Sequence, residues 1–231
     1  MEAIVLAGGF GTRLRSVISD VPKPMAPVLG RPFLEYILDD LIKKGVNRIV
    51  LAVSYKYEII KNYFGYSYRD VEIIYSIEES PLLTGGAIKQ ALGFCFEEEV
   101  FVVNGDTFFD VDLRSMKYFK KTKDALFVLA TCSMKNFDRY GTVEVDDSNC
   151  ITCFNEKKPT DKGLINGGVY LLNKSIFKDI AEVSFSLEEK VLDSLLLSRA
   201  VFSFSSNGYF IDIGIPSEYE RVQHDFKCRF S

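Results

Sequence analysis

Apolar residues gather in short, largely unbroken blocks through the first half of the chain, and between the blocks they recur at helical spacing. Residues 2–7 (EAIVLA), 48–53 (RIVLAV), 71–76 (VEIIYS) and 100–106 (VFVVNGD) are such blocks. Unbroken runs predict strands covered on both faces, as in a parallel sheet. Between them, Pro32 opens a stretch in which Phe33, Leu34, Ile37, Leu38, Leu41 and Ile42 follow a helical period, and Gly45 closes it. Further helices are predicted over 56–64 and 86–96. The order βαβαβαβ implies a doubly wound sheet with right-handed crossovers.

The second half has a different rhythm. Strands are predicted near 125–132, 141–146, 150–155 and 165–172, then helices near 174–181 and 187–198. A strand pair (201–205 and 208–213) and a final helix follow. No linker, repeat or low-complexity segment interrupts residues 1–231. The expectation is a single α/β domain with a doubly wound, mostly parallel but mixed sheet, whose second half extends that sheet and covers the site.

Composition narrows the setting. Hydrophobic residues make up 47% and charged residues 26%, which excludes a disordered or fibrous chain. The net charge of -4 speaks against nucleic acid or an anionic membrane as partner. No apolar run approaches the roughly 18 residues that a membrane span needs, and the first residues lack the basic flank of a signal peptide. Five cysteines are scattered along the chain, so reduced thiols and a cytoplasmic location are expected. Cys150 and Cys153 form a lone C-x-x-C, read as part of a strand because zinc needs about four ligands. The 19 phenylalanines and 12 tyrosines would serve the core or a homodimer contact, and oligomeric state is left open.

Three segments carry candidate chemistry, and in an open α/β sheet ligands bind beyond the carboxyl ends of the strands. Leu6-Ala7-Gly8-Gly9-Phe10-Gly11-Thr12-Arg13-Leu14 follows the first strand. Glycines let backbone N–H groups approach phosphate oxygens, and Arg13 adds a fork of donors. The loop fits neither the G-x-x-x-x-G-K-[ST] pattern of P-loop proteins nor the G-x-G-x-x-G of dinucleotide binders. Lys23 stands between Pro22 and Pro24, which are expected to hold it extended at a fixed place. Asp106 ends the fourth strand and Asp212 lies in an apolar strand; both are candidates for holding Mg²⁺. Asp110 and Asp112 are expected to cap the next helix.

Taken together these segments resemble the sugar-nucleotide pyrophosphorylases, nucleotidyltransferases that act on sugar 1-phosphates. The family's opening signature, L-A-G-G-x-G-T-R-L followed by P-K-P, stands at 6–14 and 22–24. Its later blocks are matched by Thr84-Gly85-Gly86-Ala87, Asn104-Gly105-Asp106, Tyr140-Gly141, Glu156-Lys157-Lys158-Pro159, Asn166-Gly167-Gly168 and Asp212-Ile213-Gly214.

The resemblance implies a Rossmann-like, GT-A-like fold and a reaction joining a nucleoside triphosphate to a sugar 1-phosphate with release of pyrophosphate. It places the nucleotide against Leu6, Gly8, Gly9, Gly11, Thr12, Arg13, Glu78, Leu83, Gly85 and Asn104, within a nucleotide-binding half (1–112). Arg13, Lys23 and Asp106 would be catalytic, and Asp106 and Asp212 would carry Mg²⁺. Gly141, Glu156, Lys157, Asn166 and Gly168 would take the sugar phosphate, in a sugar-binding half (113–231).

Glu78 matches the position of a glutamate in guanylyltransferases of the family, and an acceptor-only carboxylate suits the adjacent N1–H and N2–H₂ donors of guanine. Leu83 and Gly85 differ from the guanylyltransferase block P-L-G-T-A-G. GTP is therefore the expected nucleotide, with thymidylyl, cytidylyl or uridylyl transfer as alternatives and a non-catalytic nucleotide-sensing subunit as a different class. The shortness of the chain points to D-glycero-α-D-manno-heptose 1-phosphate, a precursor for capsule, S-layer or lipopolysaccharide, with mannose 1-phosphate next. No residue read from the sequence decides between them.

Overall fold

The computed structural model describes residues 1–9 and 20–230. The chain runs β1 (Glu2–Leu6), β2 (Pro27–Val28), β3 (Arg31–Pro32), α1 (Phe33–Lys43), β4 (Arg48–Val53), α2 (Tyr57–Phe64), β5 (Ser67–Tyr68), β6 (Val71–Ile77), α3 (Leu83–Leu92), β7 (Glu99–Asn104), β8 (Thr107–Phe109) and α4 (Leu113–Thr122). It continues with β9 (Phe127–Phe137), β10 (Thr142–Val145), β11 (Ile151–Phe154), β12 (Thr160–Asn173), α5 (Asp193–Leu197), β13 (Val201–Ser205), β14 (Phe210–Asp212) and α6 (Pro216–Arg229).

The main sheet has the order β11-β10-β12-β7-β1-β4-β6-β5. β7, β1, β4 and β6 are mutually parallel. β12 joins β7 antiparallel, and so carries the sheet into the second half. The mixed, doubly wound sheet read from the apolar pattern is thus present. Its central strands are covered on both faces in strict alternation. Ala3, Val5, Ile49, Leu51, Phe101 and Val103 face the layer of α1, α2, α4 and α6. Ile4, Val50, Ala52, Val100 and Val102 face the layer of α3 and α5. Two buried faces leave no polar alternation to write into the sequence, which is why these strands read as unbroken runs. Many of the aromatics serve the core: Phe226 of α6 stacks on Phe33 at 5.9 Å and meets Tyr36, Phe108, Tyr209 and Phe230.

Several expectations need correction. The helix predicted over 86–96 begins at Leu83 and ends at Leu92. Its early N–H groups at Gly85 and Gly86 are satisfied by the Phe185 carbonyl, at 3.0 and 3.3 Å, a cap that comes from a hundred residues away and leaves no local signal. The region 174–181 holds one helical turn, Lys174–Phe177, and 187–198 opens with a π turn, Glu188–Leu192, before α5.

The predicted strand pair does not pair with itself. β13 runs parallel to β9, whereas β14 pairs antiparallel with β8. Asp112 caps α4, its Oδ1 accepting the Arg114 and Ser115 N–H groups at 3.0 Å. Asp110 caps nothing and instead meets Lys44 at 3.0 Å and Arg229. Burial opposes its ionisation, but the Lys44 hydrogen bond and the two cations outweigh that and hold its carboxyl below the usual range. Among the described residues no helix is long and apolar enough to cross a membrane.

Candidate active site

The carboxyl ends of β1, β4, β6 and β7 open into a cleft of about 550 Å³. Leu6, Gly8 and Gly9 enter it from β1, Ser54 and Tyr55 from β4, Glu78 from β6, and Asn104 and Asp106 from β7. The Ser54 hydroxyl donates to the Gly8 carbonyl and ties the two loops together. A Cβ at Gly8 would lie 2.7 Å from Glu78 Oε1, so glycine there leaves room for that carboxylate. Glu78 Oε2 accepts the Leu82 N–H at 3.2 Å, yet burial dominates and raises its carboxyl above the ordinary value.

Leu83 reaches the same cleft from a left-handed backbone, with φ 59°. Gly85, expected at the nucleotide, stands just behind this lining. It lies outside the cleft lining, its N–H is taken by Phe185, and a Cβ there would stand 2.4 Å from the Phe185 ring. Gly11, Thr12 and Arg13 fall outside the described residues.

At the inner end of this cleft three charges converge. Lys23 opens a single 3₁₀ turn, Lys23–Met25, rather than the extended stretch expected between two prolines. Its side chain is 12% exposed, with Nζ 2.6 Å from Asp106 Oδ2 and 3.5 Å from Asp212 Oδ1. Asp106 follows β7, where the Gly105 N–H donates to the Leu6 carbonyl at 2.9 Å. Asp212 arrives on β14, directly opposite Thr107 of β8. The Ile213 N–H donates to the Asp106 carbonyl at 3.1 Å, and the Gly214 N–H to Asp212 Oδ1 at 2.7 Å.

A hard divalent ion such as Mg²⁺ takes oxygen ligands, commonly one or two carboxylates with waters and substrate phosphates filling the rest. Asp106 and Asp212 supply two carboxylates focused on a single cation position, the place where Lys23 Nζ now sits between them. The donor set fits such an ion.

Beyond the charges lies a second cleft of about 540 Å³, which shares Asn104 and Asp106 with the first. Gly141, Glu156, Lys157, Asn166 and Gly168 all line it. Asn166 and Gly168 owe their place to an irregularity in β12, whose pairing with β9 jumps from Asn166 to Tyr170. The bulge is held by Asn166, whose Oδ1 accepts the Gly168 N–H at 2.8 Å and whose Nδ2 donates to the Tyr170 hydroxyl at 2.9 Å. Gly168 has φ 71°, and a Cβ would stand 2.7 Å from Asn104 Nδ2, so both conformation and contact call for glycine. Glu156 and Lys157 are exposed, and among the described residues no ion pair joins them.

Sequence reasoning assigned no role to Arg139, Tyr140, Tyr170 or Glu188, which also line this second cleft. Tyr140 was visible only as the residue before Gly141. Its hydroxyl donates to Asp212 Oδ2 at 3.4 Å; burial, and then the Asp212 charge, push the phenol up. Tyr170 is likewise raised by burial.

A mixed α/β sheet with two clefts meeting over a lysine and two aspartates is the architecture of a nucleotidyltransferase, and the chain belongs to the nucleotidyl transferase family, whose profile matches residues 2–227. Among curated relatives, it is 50% identical over 222 residues to the D-glycero-α-D-manno-heptose 1-phosphate guanylyltransferase of Campylobacter jejuni, covering 95% of this chain and 97% of that one. It is 48% identical over 228 residues to the enzyme of the same name from Aneurinibacillus thermoaerophilus, with 98% and 99% covered. Its structure resembles that of HddC from Yersinia pseudotuberculosis, with a TM-score of 0.87, 34% identity, and 97% and 99% of the two chains covered. The form of HddC complexed with GMP-PN superposes with a TM-score of 0.84.

Proposed function

We propose that this chain transfers GMP from GTP to D-glycero-α-D-manno-heptose 1-phosphate, forming a GDP-sugar and pyrophosphate. The observation that carries the reading is the meeting of two clefts over Lys23, Asp106 and Asp212. It is supported by relatives of nearly the same length and near-half identity that bear the name of this activity.

In this reading residues 1–112 hold the nucleotide and 113–231 hold the sugar, with Asn104 and Asp106 common to both. Gly8 and Gly9, with Gly11, Thr12 and Arg13, cradle the triphosphate through backbone donors and a guanidinium. Glu78 accepts from the guanine edge. The sugar phosphate is already an anionic nucleophile, so no general base is required. The barrier is the approach of two anions in line at the α-phosphorus, and positioning and neutralisation lower it. Lys23 lies where it can neutralise the α-phosphate and the oxygen that attacks it. Lys157 faces the sugar phosphate, and Glu156 and Asn166 face its hydroxyls. Mg²⁺ held by Asp106 and Asp212 would add positive charge at the reacting phosphates. Cytoplasmic work agrees with five cysteines that are all free.

The test is pyrophosphate release with GTP, CTP, UTP, dTTP and ATP, each against a panel of sugar 1-phosphates that includes the heptose and mannose compounds. Release with GTP and the heptose phosphate is expected. Preference for dTTP or CTP would refute the guanine assignment, and no release with any pairing would refute the enzyme reading.

A further inference from the structure

In the second cleft one half-buried cation has no carboxylate in contact among the described residues. Arg139 is half-buried on the turn between β9 and β10 and lines this cleft beside Tyr140, Lys157 and Asp212. Among the described residues, Arg31, Arg48, Arg69, Arg199, Arg221 and Arg229 all stand within ion-pair distance of a carboxylate. Arg114 does not, but it is exposed on α4. Arg139 alone among them is half-buried without a carboxylate in contact. Withdrawing a guanidinium from water without a counter-ion is costly, and chains commonly keep such an arrangement where a ligand supplies the charge.

Its guanidinium rests on the ring of the neighbouring Tyr140 and also meets that residue's hydroxyl. Arg139 Nη2 donates to the Tyr140 hydroxyl at 2.5 Å, and its guanidinium carbon lies 5.0 Å from the Tyr140 ring centroid. The phenol passes its own proton toward Asp212, at 3.4 Å, and Asp212 faces Lys23. One donor of the fork is therefore spent on Tyr140, and the others remain for the cleft. A rigid guanidinium fork grips a phosphate in two-point fashion, which the exposed ammonium of Lys157 cannot do.

Building on the functional reading above, we propose that Arg139 holds the phosphate of the incoming sugar 1-phosphate. An anion on this fork would lie one phenol away from Asp212, beside the junction where the nucleotide's α-phosphate belongs. The phosphate would reach Arg139 from the sugar side while the triphosphate enters from the other cleft. Arg139 and Lys157 would then share the group, the arginine orienting it and the lysine adding charge.

The competing possibility is that Arg139 only positions Tyr140 against Asp212. Initial rates with varied sugar 1-phosphate at saturating GTP, and the converse, separate the two. Arg139→Gln is expected to raise KM for the sugar 1-phosphate roughly 10- to 100-fold, the worth of a charge-assisted phosphate contact. KM for GTP should stay within about 3-fold. Arg139→Lys should recover part of the loss. Tyr140→Phe keeps the ring under the guanidinium but removes the hydroxyl that meets Asp212, so its loss should fall mainly on kcat, with a smaller shift in sugar-phosphate KM than Arg139→Gln gives. An unchanged sugar-phosphate KM in Arg139→Gln, in a protein whose wild type is active, would overturn the proposal. So would Tyr140→Phe reproducing the arginine variant's shift, because the arginine would then act through the phenol. Inactivity of the wild type with every pairing would instead overturn the functional reading on which the proposal stands.

Discussion

Replacing Glu78 by glutamine tests how the base is chosen. In the structure the Glu78 carboxyl lies at the end of β6, with Oε2 accepting the Leu82 N–H at 3.2 Å and Oε1 against Gly8. Glutamine can keep the bond from Leu82 through its own oxygen, so the local backbone should hold. What it cannot do is present a second acceptor, and its NH₂ would confront the guanine donors. Losing one hydrogen bond to a charged acceptor and leaving donors unpaired amounts to about 2–4 kcal/mol, or roughly 30- to 1,000-fold in kcat/KM for GTP. Turnover with UTP or dTTP, whose bases offer a donor between two acceptors, should rise relative to GTP.

The same carboxyl predicts a pH effect. Burial raises its pKa, so the neutral form persists to higher pH than for an ordinary glutamate. The ionised form is the acceptor, and KM for GTP should therefore climb as pH falls through that raised pKa. The climb should vanish in Glu78→Gln. Initial rates across the nucleotide panel at several pH values measure both. A variant that keeps wild-type kcat/KM and preference for GTP would refute the assignment of the base to Glu78.

Asp106→Asn and Asp212→Asn should each cut turnover by at least about 100-fold and weaken Mn²⁺ binding, followed by electron paramagnetic resonance, while circular dichroism stays native; near-normal turnover in either would remove it from the ion site. Gly85→Ala should lower the urea midpoint by the equivalent of about 1–2 kcal/mol, because overpacking against Phe185 outweighs the usual helical gain of alanine over glycine; a higher midpoint would contradict the packing seen there. Gly168→Ala should lower kcat/KM roughly 10-fold for both substrates, since its Cβ displaces Asn104, which lines both clefts; unchanged kinetics would show that Asn104 tolerates the shift.

What the sequence conveyed and what it concealed divide along a physical line. β1, β4 and β7 were legible because a strand covered on both faces is apolar nearly throughout, as Ile49, Val50 and Leu51 are on opposite sides of one strand. Asp106 was legible because it interrupts such a run where the strand must end. Features set by distant partners were not. Nothing local announces that Phe185 will cap α3, that Lys44 and Arg229 will capture Asp110, or that β14 will join β8 rather than β13. Arg139 escaped notice for the same reason. An arginine in a polar turn is ordinary, and it becomes informative only once its surroundings prove to contain no carboxylate in contact with it.

The pairing of β8 with β14 carries more of the chemistry than its three residue pairs suggest. Asp106 and Asp212 are like charges, and two carboxylates on one cation position repel each other when that position is empty of charge. Side-chain packing alone would let them part. Here the backbone prevents it: Asp212 is in register with Thr107, and the Ile213 N–H is bonded to the Asp106 carbonyl. Lys23, set by its own proline-flanked turn and nearly buried, supplies the compensating ammonium from a third segment. The three groups sum to one negative charge, so the junction on its own does not attract the two anions that must meet there. In the reaction proposed above, attraction would come from outside the triad, from a divalent ion on one side and from Arg139 and Lys157 on the other. On that proposal each anion would meet its own cationic wall, and Lys23 would be the group that both reach.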